Sequence, residues 1–416
     1  MTILISHIGK LVNTRDSSAA LRGTGLASLP CIDDAYLLIE DGRIAGLGKM
    51  ADLKHDVNGF DEHFDAGGKL VLPSWCDSHT HLVFAGSREN EFVDKIKGLS
   101  YAEIAAGGGG ILSSARQVND ISEDQLFIQS FKRLKEVVKM GTGAIEIKSG
   151  YGLTVEGELK MLRVIRRLKR ASSIPIKATF VGAHSIPEEY KDDREGYIRL
   201  VIEEMLPAIA GERLADYIDV FCERGFFSQE ETERICRAGM AVGLKAKIHA
   251  NQLSVSGGVQ AGVNVHAVSV DHLESMDTKA IEILSGSKTI GTLLPTAAFF
   301  LRMPFQPARE LIENGCAIAL ATDYNPGSSP SGNMNFVVAL SCIQMRMLPE
   351  EAINAATFNG AHAMELQSEC GSIAIGKKAS IMVTRPMNSI ACLPYSFGTN
   401  LIERCMLCGE WVQDSD

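Results

Sequence analysis

The chain has 416 residues, 45% of them hydrophobic and 22% charged. These are globular proportions, with room for one large domain and a smaller one, or for two to three average domains. Lys and Arg total 41 against 51 Asp and Glu, a formal charge of -10, which argues against a surface built for nucleic acid or an anionic membrane. An anionic small molecule would need a basic residue placed locally.

In chain order, MTILISHIGKLV reads as a strand and lacks the basic, apolar and cleavage-site order of a secretory signal. AYLLIEDGRIAGLG follows, with Asp-Gly as a hairpin turn signal. Next comes the apolar run Leu70 to Leu72 with Pro73, and then CDSHTHL, which places His79 and His81 either side of one threonine. On a strand, positions i and i+2 share a face, so both imidazoles would converge on one point. The glycine-rich AGGGGIL, residues 106–112, has no preceding strand and no following Gly-Lys-Ser/Thr. It reads as a loop near the mouth of a fold, not as a phosphate cradle.

From residue 140 to 325 short apolar runs alternate with helical patterns. GAIEIKSG precedes VEGELKMLRVIRRLKRA, IKATFVGAH precedes REGYIRLVIEEMLPAIA, and YIDVFCE precedes SQEETERICRAGMAVG; LKAKIHA, AVSVDHL, KTIGTLLP and AIALATD continue the series. With the strand that carries the histidine pair they make about eight, the number that closes a (β/α)8 barrel. No GxGxxG follows a strand, so an open nucleotide-binding sheet is the weaker choice. On GAIEIKSG the alternation sets Glu146 and Lys148 on one face and Ile145 and Ile147 on the other. If the isoleucines face the helices, a charged pair lines the barrel and must sit in a polar network, in a supporting role.

The last segment, 371–416, holds GSIAIGKKASIMVT and RCMLCGEWV, short strands with glycine turns. The expected architecture is an α/β chain: a TIM-like (β/α)8 barrel over 69–370, and a small β-sandwich made by 1–68 together with 371–416. The 10 cysteines are dispersed, as buried thiols in a reducing cytoplasm are. Cys405 and Cys408 have CxxC spacing but no second pair, so a metal or redox role is not assigned to them. Apolar stretches are too short to span a bilayer.

Active sites of such barrels lie at the C-terminal ends of the strands. There the sequence puts His184, His249, His272 and Asp323 beside the pair His79 and His81, whereas His7, His55, His63, His266 and His362 lack this placement. Three nitrogen donors and one carboxylate match a catalytic zinc site with an open position for water, whose pKa falls to roughly 7 there. Asp323 would be both ligand and general base. Arg88, seven residues past His81, could reach across the mouth to fork a carboxylate, or could simply pair with Glu89 or Glu91.

DSHTHL, KIHA, VDHLE and LATDYNPGSSP resemble the amidohydrolase superfamily. HTHLVFAGSRENEF, SYAEIAAGGGGI, EIKSGYGL, TFVGAHSIPEEY, IHANQLS and ALATDYNPGSSP resemble, more narrowly, its imidazolonepropionase family. The resemblance implies one divalent metal ion per chain, zinc or iron, held by His79, His81, His249 and Asp323. It further implies a small-molecule substrate with a carboxylate, contacted by Arg88, Tyr151, His184, Gln252, Asn325, Gly327 and Ser328, with His272 beside the catalytic water. The reaction it implies is hydrolysis of 4-imidazolone-5-propanoate to N-formimidoyl-L-glutamate in histidine degradation; a homodimer is the expected assembly, and the cysteine usage points to the cytoplasm. Lys148 sits too early to be the carboxylated lysine of two-metal relatives, so one metal is expected. Asn251 stands where many relatives carry a carboxylate, which puts the tuning of His249 in question, and Ser380 replaces a common aspartate. The rival reading is a nucleobase-type deaminase, which needs a proton-shuttling glutamate where Gln252 stands. A non-catalytic descendant would have lost metal ligands, and all four are present.

Overall fold

The computed structural model describes every residue except 17–18, 55–58, 100–108 and 414–416. Residues 106–108 of the glycine-rich run 106–112 therefore lie outside the described residues, as does His55.

Eight parallel strands follow one another in sequence around the catalytic half: β6 (Trp75–Asp77), β7 (Thr142–Lys148), β8 (Ile176–Ala183), β9 (Tyr217–Cys222), β10 (Lys245–Ala250), β11 (Ser269–His272), β12 (Ile290–Leu293) and β13 (Ile318–Leu320). The first and last meet just past their ends. Thr80 bridges Tyr324 in parallel, His81 N–H donates to Tyr324 O at 2.9 Å and Asp323 N–H to His79 O at 3.0 Å. The Asp77 carboxylate adds two bonds across the same seam, from Thr322 N–H at 3.0 Å and Thr322 Oγ1 at 2.7 Å. The strand-and-helix series thus closes as a TIM-like barrel, with the histidine pair and Asp323 at its seam.

Alternation within the strands decides what faces the axis. On β7, Ile145 and Ile147 join the apolar core under the helices, as the sequence pattern predicts, while Glu146 and Lys148 point inward with no exposure. The same alternation turns Ile218, Val220 and Cys222 of β9 outward into the core. The helix Val155–Ala171 buries Leu159, Leu162, Ile165 and Leu168 on one stripe, with the Thr154 side chain accepting from Gly157 N–H at its start. Such caps contribute about 0.5–2 kcal/mol each.

The termini build a second, mixed sheet: β1 (Thr2–Val12), β2 (Cys31–Glu40), β3 (Arg43–Lys49), β4 (Glu62–Asp65), β5 (Leu70–Pro73), β14 (Ile381–Thr384), β15 (Ile402–Leu407) and β16 (Glu410–Trp411). These strands form one continuous hydrogen-bonded sheet with its own core of Ile3, Ile5, Leu37, Ile39, Val71, Ile381 and Met406, among others. One sequence reading needs correction here. The run Leu70–Pro73 pairs with β1 and β14 in this terminal sheet, and the barrel strand before the histidine pair is the separate, shorter β6. Ser74 lies between the two, so a single apolar run in the sequence feeds both sheets.

Candidate metal centre and substrate cavity

His79 and His81 lie just beyond the end of β6, and His249 is on β10. Each ring is locked from behind. His79 Nδ1 lies 2.7 Å from Asp271 Oδ2 and His249 Nδ1 lies 2.9 Å from Asp219 Oδ2. His81 Nδ1 lies 3.2 Å from Ser149 O. A carbonyl only accepts, and a carboxylate at these positions accepts, so all three Nδ1 atoms carry the proton. All three Nε2 atoms therefore present lone pairs. His81 Nε2 and His249 Nε2 stand 3.2 Å apart, and His79 Nε2 is buried without a hydrogen-bond partner among the described residues. Two facing lone pairs and an orphaned third nitrogen make no hydrogen bonds with one another; a cation between them would satisfy all three. Burial lowers the pKa of each of these imidazoles well below the usual histidine value, with Lys148 and neighbouring rings adding to the effect. The rings are thus held in the neutral form a metal ligand requires.

Asp323 closes the cluster, its Oδ1 3.5 Å from His79 Nε2 and 3.9 Å from His81 Nε2. Burial raises its pKa to about 6. Its other oxygen accepts from Ser328 Oγ at 3.1 Å. The described His and Asp side chains form three overlapping groups able to hold an ion: His79, His249 and His272; His81, His184 and His249; and His79, His81 and Asp323. A His184 ring nitrogen thus lies within 4.8 Å of ring nitrogens of His81 and His249. His184 Nδ1 bonds Gly150 O at 2.9 Å and the ring stacks on His81 at 5.1 Å.

Behind the ligands sits a buried ionic network. Lys148 Nζ contacts Glu146 Oε1 at 2.7 Å, Asp219 Oδ2 at 2.7 Å and Asp271 Oδ2 at 3.5 Å. Lys247 Nζ pairs with the other Glu146 oxygen and donates to Ser78 O at 3.1 Å. Burial alone would push Lys148 toward neutrality, but Asp219, Glu146 and Asp271 outweigh it and raise its pKa. One ammonium thus ties together both carboxylates that orient His79 and His249. Such outer partners fix ring orientation and raise ligand basicity.

His272 takes φ 90° and Leu273 φ 67°, with Asp323 at φ 53° and Asn251 at φ 54°. Left-handed backbone at non-glycine residues is costly and collects at functional sites. The turn swings His272 toward the cluster, and its Nδ1 meets Glu274 Oε1 at 3.4 Å. Burial works against charge on His272, but Glu274, Asp323 and Asp271 outweigh it and raise its pKa.

A cavity of about 420 Å³ opens over the donors. His81, His249, His272 and Asp323 form its floor, and Arg88, Tyr151, His184, Gln252, Asn325, Gly327 and Ser328 line it. Only His79 among the sequence candidates is absent from its wall, lying fully buried beneath. Arg88 lines the cavity, and of its two acidic neighbours it pairs with Glu91: its Nε and Nη2 bond Glu91 Oε2 at 2.9 and 2.6 Å. Gly327 permits this approach, since a Cβ there would fall 2.1 Å from Arg88 Nη1. Asn325 Oδ1 accepts from Gly327 and Ser328 N–H, both at 2.8 Å, which shapes the loop as a turn under the ligand space.

Sequence reasoning passed over Asp219, Asp271, Lys247 and Glu274. The signal was there in the alternation: Asp219 in YIDVFC and Asp271 in SVDH fall on the inward face, in register with Lys247 and His249 of β10. The Asn251 side chain is hydrogen-bonded away from His249. Its amide donates to Ser275 O at 3.0 Å and its oxygen accepts from Ser256 Oγ at 3.2 Å, so the concern about tuning moves to Asp219. The apolar walls Phe221, Phe226, Leu301 and Met303, and the cation Lys95, were also missed.

The amidohydrolase family model matches residues 70–411. The imidazolonepropionase of Flavobacterium johnsoniae is 54% identical over 99% of this chain and 100% of its own, and that of Christiangramia forsetii is 52% identical over the same shares. Among solved structures, E. coli guanine deaminase superposes with a TM-score of 0.75 at 16% identity over 100% of both chains. An atrazine chlorohydrolase mutant from Arthrobacter aurescens complexed with zinc and atraton gives 0.76 at 14% over 98% of this chain and 94% of that one. At such identities the structures speak for the fold alone. The full-length likeness to the curated relatives, joined to a buried His and Asp cluster at the barrel mouth, places this chain in the amidohydrolase family, among the imidazolonepropionases.

Proposed function

We propose that the chain hydrolyses the ring carbonyl carbon to nitrogen bond of 4-imidazolone-5-propanoate, giving N-formimidoyl-L-glutamate, with His79, His81, His249 and Asp323 holding one divalent ion, zinc or iron. The observation that supports the metal is the meeting of unprotonated Nε2 atoms, 3.2 Å apart in His81 and His249, with His79 Nε2 making no hydrogen bond among the described residues. Bound there, the ion supplies Lewis acidity and lowers the pKa of water to roughly 7.

The protein groups then divide the work. Asp323, whose second oxygen is held by Ser328 Oγ, takes the proton of the attacking water and delivers it to the departing ring nitrogen, so the proton count balances. His272, held by Glu274, donates to the oxygen that gains charge as the carbonyl carbon becomes tetrahedral. Arg88 grips the propionate, with the turn Asn325, Gly327 and Ser328 beside it, while Tyr151, His184 and Gln252 bracket the ring. Gln252 offers an amide edge to a lactam and has no proton to give to a leaving amine, which disfavours a deaminase despite the shared fold.

The active particle is a homodimer in a reducing cytoplasm. Exposed Phe299, Ile343, Tyr395 and Phe397 support the first part, and ten free cysteines the second. No described helix is long and apolar enough to cross a membrane. The test is direct: purified protein is given freshly made imidazolonepropionate while absorbance loss is followed, with guanine, cytosine and dihydroorotate alongside. Rapid loss of the imidazolone only is expected. Turnover of a nucleobase without the imidazolone would overturn the assignment.

A further inference from the structure

Helix α1 (Glu89–Ile96) begins directly after Arg88. Residues 88, 91 and 95 fall on one of its faces, and that face meets the cavity wall through Arg88 and Lys95. Arg88 is already paired. Two of its nitrogens bond one oxygen of Glu91 at 2.9 and 2.6 Å, and the other Glu91 oxygen accepts from Gly110 N–H at 3.0 Å. Both side chains are nearly buried, at 8% and 13% exposure, so the pair stays formed and contributes little net charge to the cavity.

Lys95 differs. It is half-buried, and among the described residues no carboxylate lies within ion-pair distance of its Nζ. Its contacts there are Gly327 O at 3.3 Å and the Phe300 ring, with Nζ 5.8 Å from the centroid. Burial lowers its pKa and Arg88 adds to the effect, while Glu91 pulls the other way.

We infer that Lys95 is a specificity-determining residue: it supplies the net positive charge that selects a carboxylate-bearing substrate, while the Arg88–Glu91 pair supplies geometry. The contact to Gly327 O would give way to the ligand's carboxylate, beside Arg88, whose Nη1 packs against Gly327. This rests on the reading above that the substrate carries a carboxylate.

The test titrates the metal-loaded full chain by calorimetry with imidazole-4-propionate and with the uncharged imidazole-4-propionamide, at low and at high salt. The wild type should prefer the acid by about tenfold or more, a margin that shrinks with salt. Lys95→Met should lose most of that margin while binding the amide unchanged, and Lys95→Arg should restore it. A Lys95→Met protein that keeps the full margin, or that weakens for acid and amide alike, overturns the assignment. A wild type that binds both ligands equally overturns the carboxylate reading itself and this inference with it.

Discussion

Lys148→Met removes the one ammonium that touches Glu146, Asp219 and Asp271 together. With Lys247 also present, the network holds two cations against three carboxylates, and the substitution leaves one cation against three. All five side chains are fully buried or nearly so, and water cannot compensate them. Stranding a buried charge in this way costs about 3–5 kcal/mol. For a chain of 416 residues, an unfolding entropy of about 2.1 cal/mol/K per residue converts this to a fall in Tm of about 3–6 °C. The second consequence is local. Asp219 and Asp271, freed from Lys148, orient His249 and His79 less well, and metal affinity should drop by about 10–100-fold. Calorimetric melting of the metal-free protein and competition of the holo protein against a chelator read the two effects separately. Adding Glu146→Gln should recover part of the stability by removing a stranded carboxylate. Unchanged Tm and unchanged metal affinity in Lys148→Met would refute the network's role. Two metal equivalents in the wild type, falling to one in the variant, would make Lys148 itself a metal-bridging group.

Gly327→Ala should push Arg88 off the loop, because the new Cβ would sit 2.1 Å from its Nη1; KM should rise about tenfold with kcat nearly unchanged, and steady-state kinetics decide it. Glu274→Gln should lower kcat by about 10–100-fold at unchanged metal content, since His272 loses its charged partner; rate and elemental analysis are compared on one sample. Asp216 gives a pH signature away from the site. Burial raises its pKa, but Lys169, Ala178 N–H and Lys177 outweigh it and hold it below the usual carboxylate value. A depressed folded pKa stabilises above the unfolded value and loses that stability as pH falls through the folded one. Asp216→Asn should therefore cost about 1–2 kcal/mol at neutral pH and converge on the wild type below about pH 3, as denaturant melts across pH would reveal.

The histidines and aspartate gathered at the barrel mouth were legible because barrels build sites at strand ends, where DSHTH, GAH, KIHA, VDHL and ALATD lie. The pair Glu146 and Lys148 was legible through simple alternation on β7. What could not be read was pairing across strands. Asp219 and Asp271 look like ordinary polar residues in YIDVFC and SVDH until the register sets them beside Lys247 and His249. The seam was likewise invisible, since the apolar run before the histidine pair belongs to β5 of the terminal sheet. Short-range pattern reports which face a residue takes; the identity of the group opposite comes only from closure of the sheet.

One ion, collected by the facing Nε2 atoms of His79, His81 and His249, is what hydrolysis is proposed to require. Metal-stripped protein titrated with zinc should regain imidazolonepropionate hydrolysis linearly and stop sharply at one equivalent per chain. Full activity without added metal, or a rise that continues to two equivalents, would contradict it.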